Sequence, residues 1–140
     1  MNLKISKSTN KELNQFELTE WPYADMEHYG KKVSYNNKKF IFKAVVNNKI
    51  VGCIKGKLES EVLNIDYLII AHDKKGLGIG KELTLKAENF GKKEGAHKVH
   101  LYTGKGWGAE KFYQKLGYKQ LVAIPNHNFK KDFIIYEKEI

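Results

Sequence analysis

Residues 62–70, VLNIDYLII, run almost directly into HDKKGLGIGKEL, where glycines at 76, 78 and 80 precede a change to helix-favouring residues. An apolar run of that length, bounded by turn residues, predicts a strand covered on both faces. Glycine loses more backbone freedom on folding than any other residue. Three at alternate positions therefore point to positive φ, or to a partner lying close against the main chain. A glycine-rich turn that opens a helix most often faces phosphate, because the first-turn N–H groups lack internal acceptors and the helix dipole favours an anion. This strand, turn and helix form the unit around which the rest of the chain must be arranged.

After the turn, Ile79, Leu83, Ala87 and Phe90 make one helical stripe, with Glu82/Lys86 and Glu88/Lys92 paired on the wet side and Gly95 as the stop. KVHLYT then predicts a strand, and WGAEKFYQKL a helix with Ala109, Phe112, Tyr113 and Leu116 on one face, ended by Gly117. YKQLVAI and DFIIYEKEI close the sheet as a hairpin around PNHNFKK. Upstream, KFIFKAVV and KIVGCIKGKL are strands joined at Asn47-Asn48, a pair that tolerates the positive φ of a tight hairpin, and ESE is the next turn. Near the start, NLKIS predicts a short strand; Ser8, Thr9 or Asn10 caps a helix running through Phe16 toward Trp21, where Pro22 ends or bends it.

At 140 residues the chain has the size of one domain, 1–140, and 41% apolar residues suffice for a core. No stretch approaches the ~18 apolar residues of a membrane span, and MNLKISKSTNKELNQF lacks the apolar run of a signal peptide, so a cytoplasmic location is expected. The lone Cys53 suits a reducing compartment and reads as a small core residue. His28, His72, His97, His100 and His127 have no metal-ligand spacing, so no metal is expected. The net charge of +9 is uneven: residues 11–29 hold one Lys against Glu12, Glu17, Glu20, Asp25 and Glu27, a net of −4, leaving +13 elsewhere. A basic body suits a polyanionic ligand and an acidic segment a cationic one.

Two nucleotide signatures fail. The phosphate loop of ATP and GTP enzymes meets Lys75 where its first glycine belongs and Glu82 in place of the magnesium-binding hydroxyl. The dinucleotide fingerprint meets Lys81 in place of its third glycine and arrives after several strands. What remains, Lys75-Gly76-Leu77-Gly78-Ile79-Gly80, resembles the acyl-CoA pyrophosphate loop of the GNAT superfamily of N-acyltransferases, [Q/R]-x-x-G-x-[G/A], with Lys for Arg or Gln. About thirty residues on, AEKFYQKLGY, Ala109 to Tyr118, is similar to that family's second signature, A-x-x-F-Y-x-K-L-G-[FY]. The resemblance covers roughly residues 40 to 120.

It implies an α+β fold (α/β three-layer) with a mixed, largely antiparallel central sheet of about six to seven strands flanked by about four helices. It also implies acetyl-CoA as co-substrate. Main-chain N–H groups from Lys75 to Lys81 then cradle the diphosphate, with Gly76, Leu77, Gly78, Ile79 and Gly80 between the two lysines. A side chain at Gly78 or Gly80 would stand where the phosphates sit. The pantetheine arm pairs with the backbone of Leu68, Ile69 and Ile70 as an added strand. Phe112 belongs to the cofactor wall, and Lys115 can reach the 3′-phosphate. Asn often stands where this chain has Gly106, and Trp107 can fill that space.

Acyl transfer to an amine needs a neutral nucleophile, support for the developing oxyanion and a proton for the leaving thiolate. The resemblance places Tyr113 beside the sulfur as proton donor, and backbone N–H near Ile70 serves the oxyanion. Asp66 lies on the strand before the loop; period-2 alternation projects it with Asn64, Leu68 and Ile70, where it can act as base or be a satisfied buried carboxylate. Relatives that manage with a water chain leave the base open. The resemblance implies a small-molecule or peptide amine as acceptor, on a side where Trp21, Tyr23, His28 and Tyr29, and also Phe129 and His127, are the expected lining. Two other readings are an acyl-CoA-binding module without catalysis and a basic nucleic-acid-binding domain; the spread lysines and missing recognition motifs argue against nucleic acid. No membrane association is expected, and the chain is expected to be a monomer or homodimer.

Overall fold

The computed structural model describes residues 1–140, laid out as two compact units, Met1–Tyr35 and Asn36–Ile140. No helix is long and apolar enough to cross a membrane.

The first unit is built on α1 (Asn10–Tyr29). Of the three candidate caps it is Thr9 whose hydroxyl accepts from the Glu12 N–H at 3.2 Å, while Ser8 donates to the Glu12 carboxylate at 2.7 Å. Pro22 does not end the helix, which continues to Gly30, a left-handed cap with φ 68°. Leu18 and Pro22 are exposed, so water can serve the Leu18 carbonyl that proline leaves without its helical donor. The strand expected at NLKIS does not form: residues 1–9 are irregular and exposed. The unit has no second extended segment to pair with it, and an unpaired strand has no ladder to hold it.

The second unit holds a six-stranded sheet in the order β1-β2-β3-β4-β6-β5. Its strands are β1 (Lys38–Val46), β2 (Lys49–Glu59), β3 (Val62–Ile70), β4 (Lys98–Gly104), β5 (Lys119–Ile124) and β6 (Phe133–Glu139). Helix α2 (Ile79–Lys93) bridges β3 and β4, and α3 (Gly108–Lys115) bridges β4 and β5. The fold is therefore a mixed α+β one, with three α-helices rather than about four. All strand pairs are antiparallel except β3 with β4, which only a crossover such as α2 can connect. Asn47 and Asn48 both take positive φ, 49° and 62°, as the tight hairpin requires.

The helical stripe and the strands meet in one core around Ile54, Leu63, Leu83, Ala87, Val99 and Tyr136. Glu88 departs from expectation. It is buried at 4% exposure instead of lying on the wet side with Lys92, and it accepts from the Tyr118 hydroxyl at 3.0 Å and from Lys138 Nζ at 2.8 Å. A buried carboxylate needs such partners, and these tie α2 to Tyr118, just before β5, and to β6. At the far end, Glu137 meets Lys98 at 2.9 Å and His100 at 2.7 Å.

Candidate active site

The parallel pairing of β3 with β4 runs only from Val62/Lys98 to Asn64/His100. Beyond it the strands part, and Ile65–Ile70 keeps β2 as its neighbour on one side alone. A cleft of about 850 Å³ opens beside this free edge. Leu68, Ile69 and Ile70 form one wall, the turn and the start of α2 form its end, and α3 forms the other wall with Phe112, Tyr113 and Lys115. These are the residues that the glycine and A-x-x-F-Y motifs single out, now brought together by the crossover through α2.

At the turn, Gly76 and Gly78 have φ of 78° and 83°, in the left-handed region. Gly78 is also the N-cap of α2 and supplies no side-chain cap. The first helical bond runs from Glu82 N–H to the Gly78 carbonyl at 3.1 Å, and no amide from Lys75 to Lys81 has a backbone acceptor. With Lys75, Lys81 and Lys74 lining the same end, this is a row of main-chain donors at a helix N-terminus beside ammonium groups, an arrangement suited to a diphosphate. Leu77 is 69% exposed and stands outside the cleft. Gly80 serves a different end from the one expected: a Cβ there would lie 3.3 Å from the Phe112 ring and 3.7 Å from Ile70, so its bareness lets α3 pack against α2. A Cβ at Gly78 would meet nothing within 4 Å, so that glycine is required by its φ.

Tyr113 is 6% exposed yet lines the cleft, and its hydroxyl makes no hydrogen bond within the protein. Burial raises the phenol pKa well above its ordinary value, so it stays protonated through the neutral range. Its ring packs on Phe112 and Tyr118, with centroids 4.9 and 5.3 Å away.

The turn before α3 is held by Glu110, which accepts from the Gly106 N–H at 2.5 Å and from the Tyr136 hydroxyl at 2.6 Å. The Tyr136 and Gly106 donors together hold its carboxyl below the usual range. Gly106, at φ 80°, thus presents its backbone to Glu110 where a side-chain amide is common in the resembling family. Trp107 lines the cleft, with its indole over Gly104 and its ring 5.4 Å from Phe133. Trp107, Gly108, Ala109 and Leu116 join the wall although no site role is expected of the last three; their place in and around the A-x-x-F-Y helix was the available signal.

Asp66 is not where alternation places it. It has no partner in β2, because Gly56 pairs with Ile65 and Lys55 with Tyr67. This bulge shifts the phase, so Leu63, Ile65, Leu68 and Ile70 belong to the core while Asp66 is exposed and does not line this cleft. Gly56 marks the spot, since a Cβ there would run into the Asn64 carbonyl oxygen and the Phe40 ring. Of the acceptor candidates, Trp21 lines a separate cleft within the first unit, while Tyr23, His28 and Tyr29 are exposed on α1 outside it. Phe129 is 99% exposed, and His127 packs on Tyr102 and Phe133, outside both of these clefts. No cluster of three His, Cys, Asp or Glu side chains is placed to hold a metal ion.

An acetyltransferase from Bacillus cereus has a similar structure, with TM-score 0.76, 21% identity and coverage of 99% of this chain and 98% of that one. A Bacillus subtilis acetyltransferase in complex with CoA aligns with TM-score 0.67 at 18% identity, over 98% and 97% of the two chains. An aminoglycoside 6′-N-acetyltransferase complexed with coenzyme A aligns with TM-score 0.66 at 19% identity, over 93% and 89%. A search of curated proteins finds no match. The sequence profile of the Acetyltransferase (GNAT) family matches residues 6–118, a span containing the turn, the free β3 edge and Tyr113, and the chain belongs to that family.

Proposed function

We propose that this chain is an acetyl-CoA-dependent N-acetyltransferase that passes the acetyl group to a primary amine by direct attack in a ternary complex. One observation carries the reading: the free edge of β3, the unpaired amides of Lys75–Lys81 and the unengaged hydroxyl of Tyr113 all belong to one cleft. The amides from Lys75 to Lys81 hold the diphosphate, Lys115 the 3′-phosphate, and the backbone of Leu68–Ile70 the pantetheine arm. Main-chain N–H near Ile70 stabilises the carbonyl oxygen as the amine nitrogen bonds to the acetyl carbon. As the carbon–sulfur bond breaks, Tyr113 gives its proton to the sulfur and is reprotonated by the proton that the nitrogen sheds. Asp66, exposed on its bulge, is assigned no step; solvent relays the nitrogen's proton. Trp21, Tyr23, His28 and Tyr29 belong to the acceptor side, and the reaction is placed in the cytoplasm, which suits a lone Cys53.

The test is thiol release from acetyl-CoA with a panel of primary amines, alongside calorimetry of acetyl-CoA binding. Release above the hydrolytic background that collapses in Tyr113→Phe supports the reading. Heat of binding without release from any amine would leave the alternative, a binding module, and no heat at all would remove both.

A further inference from the structure

The first unit contains a cleft of about 510 Å³ that the reaction scheme leaves without an assigned ligand. After Gly30 turns the chain, Lys32, Val33 and Tyr35 line this cleft together with α1. Leu18, Trp21 and Pro22 give it an apolar floor beside Val33. Asp25 sits among them at 5% exposure, the one buried residue of the unit. One carboxylate oxygen accepts from the Tyr35 hydroxyl at 2.6 Å; no other hydrogen bond and no ion pair reaches the carboxylate. That bond, first among the causes, pushes the Tyr35 phenol up to about 12.

A single phenol meets one oxygen of the two; the other has no protein partner and is not sealed from solvent, so it stays open to a donor. Glu17 adds a second carboxylate to the lining against one ammonium, Lys32, and neither forms an ion pair. The cleft thus combines net negative charge, an indole face and a half-satisfied carboxylate. An organic ammonium ion supplies what each lacks: N–H donors for Asp25, a positive charge, and an apolar stem for Trp21. A zwitterion or an anionic amine would bring a carboxylate toward Glu17 and Asp25, which disfavours it.

We infer that this cleft binds a primary amine carried on an apolar stem, with Asp25 receiving the ammonium and Trp21 covering the stem. That this ligand is the acetyl acceptor rests on the function proposed above; that the cleft binds it does not.

Calorimetry on the full chain, without acetyl-CoA, compares 2-phenylethylamine with its neutral isostere 2-phenylethanol. The amine is expected to bind at least about tenfold more tightly than the alcohol, and Asp25→Asn to abolish that preference. Tyr35→Phe, which leaves the carboxylate in place, is expected to keep the preference. Equal binding of amine and alcohol by the unaltered chain overturns the inference, with no variant needed; so does an Asp25→Asn chain that retains the preference. Thiol release separates the two claims. Asp25-dependent binding of an amine that is never acetylated fails the acceptor assignment and leaves the cleft; acetylation with a KM for the amine unchanged in Asp25→Asn fails the same assignment and leaves the reaction, while the cleft itself stands or falls by the calorimetry.

Discussion

The two clefts are made from different materials. Beside β3 the polar groups that meet a ligand are mostly main chain: the unpaired edge beyond Asn64 and the amides from Lys75 to Lys81. In the first unit they are side chains, Asp25 and Tyr35, on a helix and the segment that follows it. A main-chain site tolerates almost any neighbouring side chain but is unforgiving of backbone conformation. A side-chain site is the reverse, and this contrast sets what substitution should do in each.

The largest effect is expected where the first cleft depends on a side chain after all. Tyr113→Phe should lower kcat about 100-fold, some 2.7 kcal/mol, while the affinity for acetyl-CoA by calorimetry changes little. A matching loss of affinity would mean that the phenol binds instead of reacting. Because burial raises this phenol, kcat should show no decline from its ionisation below about pH 10.

Next is the scaffold between the walls. Glu88→Ala strands Tyr118 and Lys138 around a buried gap, and should cost about 2–3 kcal/mol in urea unfolding, at the low end for a broken pair because Lys138 retains water contact. A cost under about 0.5 kcal/mol would show that α2 and β6 are held by the apolar core alone.

Gly78→Val forces a β-branched residue to φ near 83° and should weaken acetyl-CoA binding about tenfold through about 1–2 kcal/mol of strain. Its partner experiment is Leu77→Ala: removing a large exposed side chain from the same loop should leave binding within about twofold. Equal losses in both would dissolve the contrast between backbone and side-chain recognition.

The smallest effect is on pH. Burial works against the charged form of Glu137, but Lys98 and His100 outweigh it and hold the carboxyl below its usual range; Glu110 is held low by Tyr136 and Gly106. A depressed carboxyl gives stability that is present above its unfolded pKa, about 4.3, and lost as pH falls through the folded one. Urea midpoints should therefore decline below about pH 5, and Glu137→Gln should flatten that decline. An unchanged slope in the variant would locate the acid sensitivity elsewhere.

The contrast also explains what could be read from the sequence. Strands and helices of the second unit follow from period-2 and period-3.6 patterns, and the diphosphate turn from glycine spacing, because backbone demands leave a compositional mark. Side-chain sites leave little. Nothing in the spacing of Asp25 and Tyr35, ten apart across a glycine, announces that they meet. Asp66 escapes its expected face because alternation assumes an unbroken ladder, and a one-residue bulge is invisible in the pattern it interrupts. Glu88 sits in an apparent surface pair with Lys92, and only the arrival of Tyr118 and Lys138 from distant segments makes burial tolerable. The NLKIS segment has strand-forming composition and no neighbour, which composition cannot report.

The parting of β3 from β4 has a consequence for selectivity. Exposed strand edges ordinarily invite any extended chain to zip alongside. Here α3 and the start of α2 line the opening, so whatever pairs with the edge must also fit between these helices and the strand. Girth, then, counts alongside charge in what this edge admits.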